Sequence, residues 1–185
     1  ILGNHDFYFG SVNGVRQKMK IINETHTNLK WLTGGPIVEL SPKVALLGHD
    51  GWYDMRNGGL DGNVILREFV HCSTFGISTE HCIQTSRELA DEASDYFAKT
   101  LPRVFEMYDK AILLTHVPPF AEASKYRGYG PTPYNLLPFY SSFTIGQTLS
   151  TLMKEHPNKE LLVLSGHTHG EADEQILPNL RVMVG

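Results

Sequence analysis

Apolar residues Val12, Val15, Met19 and Ile22 recur at intervals of three and four, which predicts an amphipathic helix from Ser11 to Ile22 with Ser11 as N-cap. "PIVEL" (36–40) and "KVALLG" (43–48) flank Ser41-Pro42 and predict two short strands lying side by side. The glycine-rich stretch 50–63 shows no periodicity and predicts a loop. From 79 to 108 the positions Ile83, Leu89, Ala93, Phe97 and Leu101 mark one buried stripe of a long helix, which Pro102 should break or kink. "KAILLTH" (110–116) is a continuous apolar run, as in a central buried strand. A loop rich in Pro, Gly and Tyr spans 117–142. A second short helix covers 144–155, closed by His156-Pro157. "ELLVLSGHTHG" (160–170) again passes from apolar strand to polar loop, and "RVMVG" (181–185) opens another strand.

Strands alternating with helices predict an α/β layered fold with a buried sheet. No repeat or linker divides the chain, so residues 1–185 are expected to form one domain. It is expected to be incomplete at both ends, because the chain starts on "IL", as if at the end of a strand, and stops inside another.

Composition narrows the function. With 41% hydrophobic and 19% charged residues the chain can bury a core. A net charge of −4, with no basic block, argues against a broad nucleic-acid surface, and no apolar run is long enough to span a membrane. Two cysteines are too few for a disulfide scaffold and fit a reducing cytoplasm. Cys72 and Cys82 each follow a histidine, and zinc accepts two His with two Cys. Neighbouring residues point in different directions, however, so two structural thiols are the stronger reading.

The chemistry gathers after strands. His116 follows "AILLT", His167 and His169 follow "LLVLS", and Asn4-His5 follow "IL". Ligands in open α/β sheets collect at the carboxyl ends of strands, and imidazole with amide or carboxylate oxygen suits divalent metals. In "GHTHG" two His spaced by one residue should project to the same side, with Gly166 and Gly170 allowing sharp turns.

"GNHD" (3–6), "LLTHVPP" (113–119) and "SGHTHG" (165–170), in that order, resemble the last three motif blocks of the calcineurin-like metallophosphoesterases. The resemblance spans residues 3 to 170. It implies an α-β-β-α sandwich with two divalent ions (Mn, Fe, Zn or Ni) at the strand ends. It also implies a phosphatase or phosphodiesterase that hydrolyses a phosphate ester by in-line attack of a metal-bound hydroxide. By position, Asn4, His116 and His167 would bind one ion and His169 the other. His5 would be the catalytic histidine at the leaving group, with Asp6 orienting it. The family's Asp-x-His and Gly-Asp blocks stand upstream of Gly-Asn-His, and here nothing precedes Ile1. The expectation is therefore a sandwich lacking its N-terminal strand-helix-strand portion. These 185 residues alone should hold at most one weakly bound ion and hydrolyse esters at or near background.

Blander readings compete. Arg56 and Arg127 lie in long loops and are candidates to hold a substrate phosphate, or are simply solvated. His49-Asp50 echoes "GNHD" but follows a hairpin strand, which predicts loop residues near the site. His26 and His156 are expected at the surface or capping helices. The Tyr and Pro residues of 126–140 are expected to pack their loop onto the domain, with a substrate wall as the lesser alternative. The rival to an enzyme is a non-catalytic phosphoesterase-like scaffold; a nuclease of the same fold stays open, as do substrate and oligomeric state.

Overall fold

Four strands, β2 (Val44–Gly48), β3 (Lys110–Leu114), β4 (Glu160–Ser165) and β6 (Leu180–Val184), run parallel and adjacent in that order. Antiparallel β1 (Val38–Ser41) flanks β2, and β5 (Ala172–Leu177) flanks β6, closing a mixed six-stranded sheet. The protein is α/β. This computed structural model describes residues 1–60, 65–76, 78–128 and 130–185. The helices are α1 (Val12–Thr25), α2 (Arg67–His71), α3 (Thr79–Met107), α4 (Leu137–Tyr140) and α5 (Phe143–Glu155).

The topology explains where the helices sit. The β2-α3-β3 and β3-α5-β4 crossovers step across the sheet in one direction. With the usual right-handed connection, both helices then pack on the same face. Ala45, Leu47, Ala111, Leu113, Leu161, Val163, Leu180 and Val182 point to that face and meet Ala93, Phe97 and Leu101 of α3 and Ile145 and Leu149 of α5. The alternate residues Leu46, Ile112, Leu114, Leu162 and Leu164 line the other face and remain half-buried, with Met183 36% exposed beside them. Among the described residues no helix is long and apolar enough to cross a membrane.

Several expectations need revision. Pro102 does not break α3, which continues to Met107 with Leu101, Val104 and Phe105 buried around it. The α1 stripe is buried only at Val12; Ile22 is 37% exposed. Ile1-Leu2 is not a strand end: residues 1–3 lie outside the sheet, and the Leu2 N–H donates to the Asp50 carboxylate at 2.7 Å. The stretch 50–60 is the expected irregular loop, but its first half, 50–55, is buried, with Trp52, Tyr53 and Met55 in a second core cluster against Phe7, Cys72 and Cys82; positions 61–63 of that predicted loop lie outside the described residues. The edge strand β5 was not anticipated from its polar pattern.

Candidate metal centre

The end of β2 organises the site. Asp50 is 1% exposed, and its carboxylate receives the Leu2 N–H and the Arg16 guanidinium, while its backbone carbonyl accepts the His116 N–H at 2.9 Å. The next link runs from the Gly166 N–H to the His116 carbonyl at 3.0 Å. The backbones beyond β2, β3 and β4 are thus tied side by side. His49 is buried too, so both residues serve as braces beneath the site.

Asn4 sits in a short 3-10 turn, Asn4–Phe7, directly after Gly3. A Cβ at Gly3 would lie 2.7 Å from Cε1 of His116, so only glycine lets the turn close onto that ring. Asn4 Oδ1 then lies 2.9 Å from His116 Nε2, which lies 3.1 Å from His167 Nδ1. His5 and His169 line the same cleft of about 360 Å³, both exposed.

The turn in "GHTHG" is made differently from the expectation. The left-handed residues are His167 (φ 70°) and His169 (φ 56°) themselves, not the flanking glycines. Left-handed backbone costs a non-glycine residue of order 1 kcal/mol or more, a strain that recurs at functional sites. Gly170 is required for closeness: a Cβ there would lie 2.3 Å from the Lys125 carbonyl oxygen. The two histidines also differ in setting, His167 half-buried and His169 exposed.

Hydrogen bonds define which atoms carry lone pairs. His167 Nε2 lies 2.9 Å from the Phe139 carbonyl, which can only accept; Nε2 therefore carries the proton and Nδ1 is left bare. Asn4 Nδ2 donates to the carboxylate of Glu68 at 3.2 Å, which turns Oδ1 toward His116. Burial first, then the neighbouring His167, His5 and His169, pushes the His116 pKa down to about 3. Burial likewise lowers that of His167, so both rings are neutral near pH 7.

Oδ1 and Nδ1 are both acceptors, and one proton on His116 Nε2 cannot satisfy them fully. A divalent cation can. Donors held about 2.1 Å from one ion at right angles lie about 3.0 Å apart, close to the observed separations. Among the described residues no group of three or more His, Cys, Asp or Glu gathers; this set is two imidazoles and an amide oxygen.

The remaining candidates divide. Arg127 lines the cleft, its guanidinium 5.3 Å from the Tyr126 ring centroid. Arg56 is not brought there: it makes a two-pronged ion pair with Asp91 at 2.6 and 2.8 Å and also faces Asp54. Asp6 caps the Gly3 N–H at 2.8 Å instead of holding His5. Tyr126 and Tyr140 pack edge to face with centroids 5.2 Å apart and also line the cleft; Tyr129, in the same cluster, lies outside the described residues. His26 and His156 each cap a helix C-terminus. Cys72 and Cys82 are buried free thiols. Sequence reading missed Arg67, Glu68 and Tyr53. No motif marks them, and only the unusual burial of Glu68 singles it out.

No family model, no curated protein and no solved structure matches this chain.

Proposed function

We propose that Asn4, His116 and His167 hold a divalent metal ion in a phosphoesterase of the calcineurin-like kind. The observation that carries the reading is the convergence of Asn4 Oδ1, His116 Nε2 and His167 Nδ1 at 2.9 and 3.1 Å. The order of the three motifs along the chain supports it. So does the half-exposed apolar row Leu46, Ile112, Leu114, Leu162 and Leu164, a surface of the kind a second sheet covers in an α-β-β-α sandwich.

An ion bound there supplies Lewis acidity toward a phosphoryl oxygen and toward water. The chain's own residues do the rest. Arg127, at the cleft wall, attracts the ester's negative charge. His5, exposed to the same cleft, supplies a proton to the departing oxygen, a task suited to imidazole near neutral pH. Tyr140, its ring 5.1 Å from that of His167, walls the inner end. His169, exposed on the rim, would be one donor to a second ion, which a single imidazole cannot hold by itself.

The test is hydrolysis of p-nitrophenyl phosphate and its bis-ester with Mn²⁺ raised to millimolar levels, because three neutral donors bind weakly. The expected result is slow turnover, near background, that needs the metal and is stopped by a chelator or by His116→Ala. Metal that binds at Asn4, His116 and His167 without hydrolysis of either ester at saturation would leave a scaffold as the reading.

A further inference from the structure

Glu68 is 3% exposed, yet its partners are all neutral. Its Oε1 accepts from the Tyr53 hydroxyl at 2.8 Å and from Asn4 Nδ2 at 3.2 Å, and its Oε2 accepts from the Tyr8 hydroxyl at 3.2 Å. Among the described residues no Lys, Arg or His forms an ion pair with it. A buried carboxylate without a cation is costly, and such groups persist where a positive charge is nearby or the group is used.

We propose that Glu68 is a positioning residue that selects which end of the Asn4 amide faces the metal centre. The inference rests on the metal reading above and adds a residue to it.

An asparagine amide has an accepting and a donating end, nearly identical in shape, and its last torsion is soft and two-fold. Only the oxygen binds a cation. A carboxylate cannot donate, so a carboxylate at one end obliges Nδ2 to face it and sends Oδ1 the other way, toward His116 Nε2. Two phenols keep Glu68 in place. Burial, and then the carboxylate itself, raises Tyr8 to about 12 and Tyr53 well above its ordinary value, so both remain donors across the working pH range. The helix that carries Glu68 is fastened to the segment that carries Asn4: the Phe9 N–H donates to the His71 carbonyl at 2.7 Å, and the Ser73 N–H to the Gly10 carbonyl at 2.8 Å. The separation of 64 residues between Asn4 and Glu68 explains why no local motif reveals the pair.

Two variants separate orientation from mere support. In Glu68→Gln the side-chain oxygen still accepts from Asn4 and Tyr53, and the new NH₂ can face the Tyr8 oxygen. In Glu68→Leu the acceptor is gone. Cobalt(II) titrations should show an affinity within a few-fold of wild type for Glu68→Gln and about 10–100-fold weaker for Glu68→Leu. Adding Glu68→Leu to Asn4→Ala should cost nothing further, since Glu68 acts through Asn4. In the metal-free protein, the Asn4 side-chain NH₂ should exchange slowly with water in wild type and Glu68→Gln and rapidly in Glu68→Leu. Wild-type cobalt affinity in Glu68→Leu, additive losses in the double variant, or rapid exchange of the Asn4 amide in wild type would each overturn the inference. If wild type takes up no cobalt while the amide exchange follows the expected order, the amide orientation by Glu68 stands and the metal reading falls.

Discussion

Asp50 binds the backbone N–H of Leu2 through its carboxylate at 2.7 Å, an interaction across 48 residues that fastens the start of the chain to the end of β2. Asn4 follows two residues later, so this bond fixes where an amide oxygen meets His116. Asp50→Ala leaves the Leu2 N–H without its acceptor and leaves the Arg16 guanidinium with Glu92 alone, and an unpaired buried polar group costs about 1–3 kcal/mol. The expected outcome is a loss of that size in urea unfolding together with weaker cobalt binding. Unchanged metal affinity would show that residues 1–4 find their place without the brace.

Gly3→Ala tests the close approach of the first loop to His116. A methyl group 2.7 Å from the ring must displace it, and overpacking of this kind costs about 1–3 kcal/mol. Metal binding should weaken along with stability. An alanine variant with wild-type cobalt affinity would mean that the turn and ring separate at no cost to the site.

His5 and His167 should respond differently to removal. His167→Ala deletes a donor and should abolish binding of the ion. His5→Ala deletes a group assigned to proton transfer, so cobalt affinity should stay within about twofold while the slow metal-dependent hydrolysis falls to the buffer rate. The reverse pattern would exchange the two roles.

Acid should expose the brace behind Asp50. His49, whose Nε2 lies 3.7 Å away, and the Arg16 guanidinium, with contacts at 2.8 and 2.9 Å, hold the Glu92 carboxyl down at about 2. A carboxyl lowered by folding contributes stability that is complete above the ordinary value near 4.5 and is lost as pH falls toward 2. Because Glu92 is half-exposed, the pair contributes only about 0.5–1 kcal/mol. Glu92→Gln should lower stability at pH 7 by that amount and flatten the decline between pH 4.5 and 2. An identical slope in the variant would remove the pair from the acid response.

The elements with strong periodicity were legible in the sequence. The apolar runs of β2, β3 and β4 and the stripes of α3 and α5 announce themselves because each buries a continuous face. The edge strand β5 did not, since Asp173, Glu174 and Gln175 interrupt its apolar positions and its hydrogen bonds to β6 supply the ordering. The segment 50–60 is the loop its glycines and lack of periodicity predict, but the burial of residues 50–55 was not legible. Its burial depends on partners far along the chain, such as Tyr53 with Glu68 and Asp54 with the Thr144 N–H at 2.7 Å. The same limit governs the site. Asn4, His116 and His167 could be named as candidates from short motifs at strand ends. Glu68, the departure of Arg56 to Asp91, and the turn of Asp6 onto Gly3 follow from contacts that no short motif encodes.

The metal centre is tested most directly by soaking crystals of the protein in MnCl₂ and recording anomalous differences at a wavelength where manganese scatters strongly. The expected peak lies within about 2.0–2.3 Å of Asn4 Oδ1, His116 Nε2 and His167 Nδ1, and it disappears in His167→Ala. A map with no peak at saturating manganese, or with its peak away from these three atoms, would contradict the assignment of this site as a metal centre.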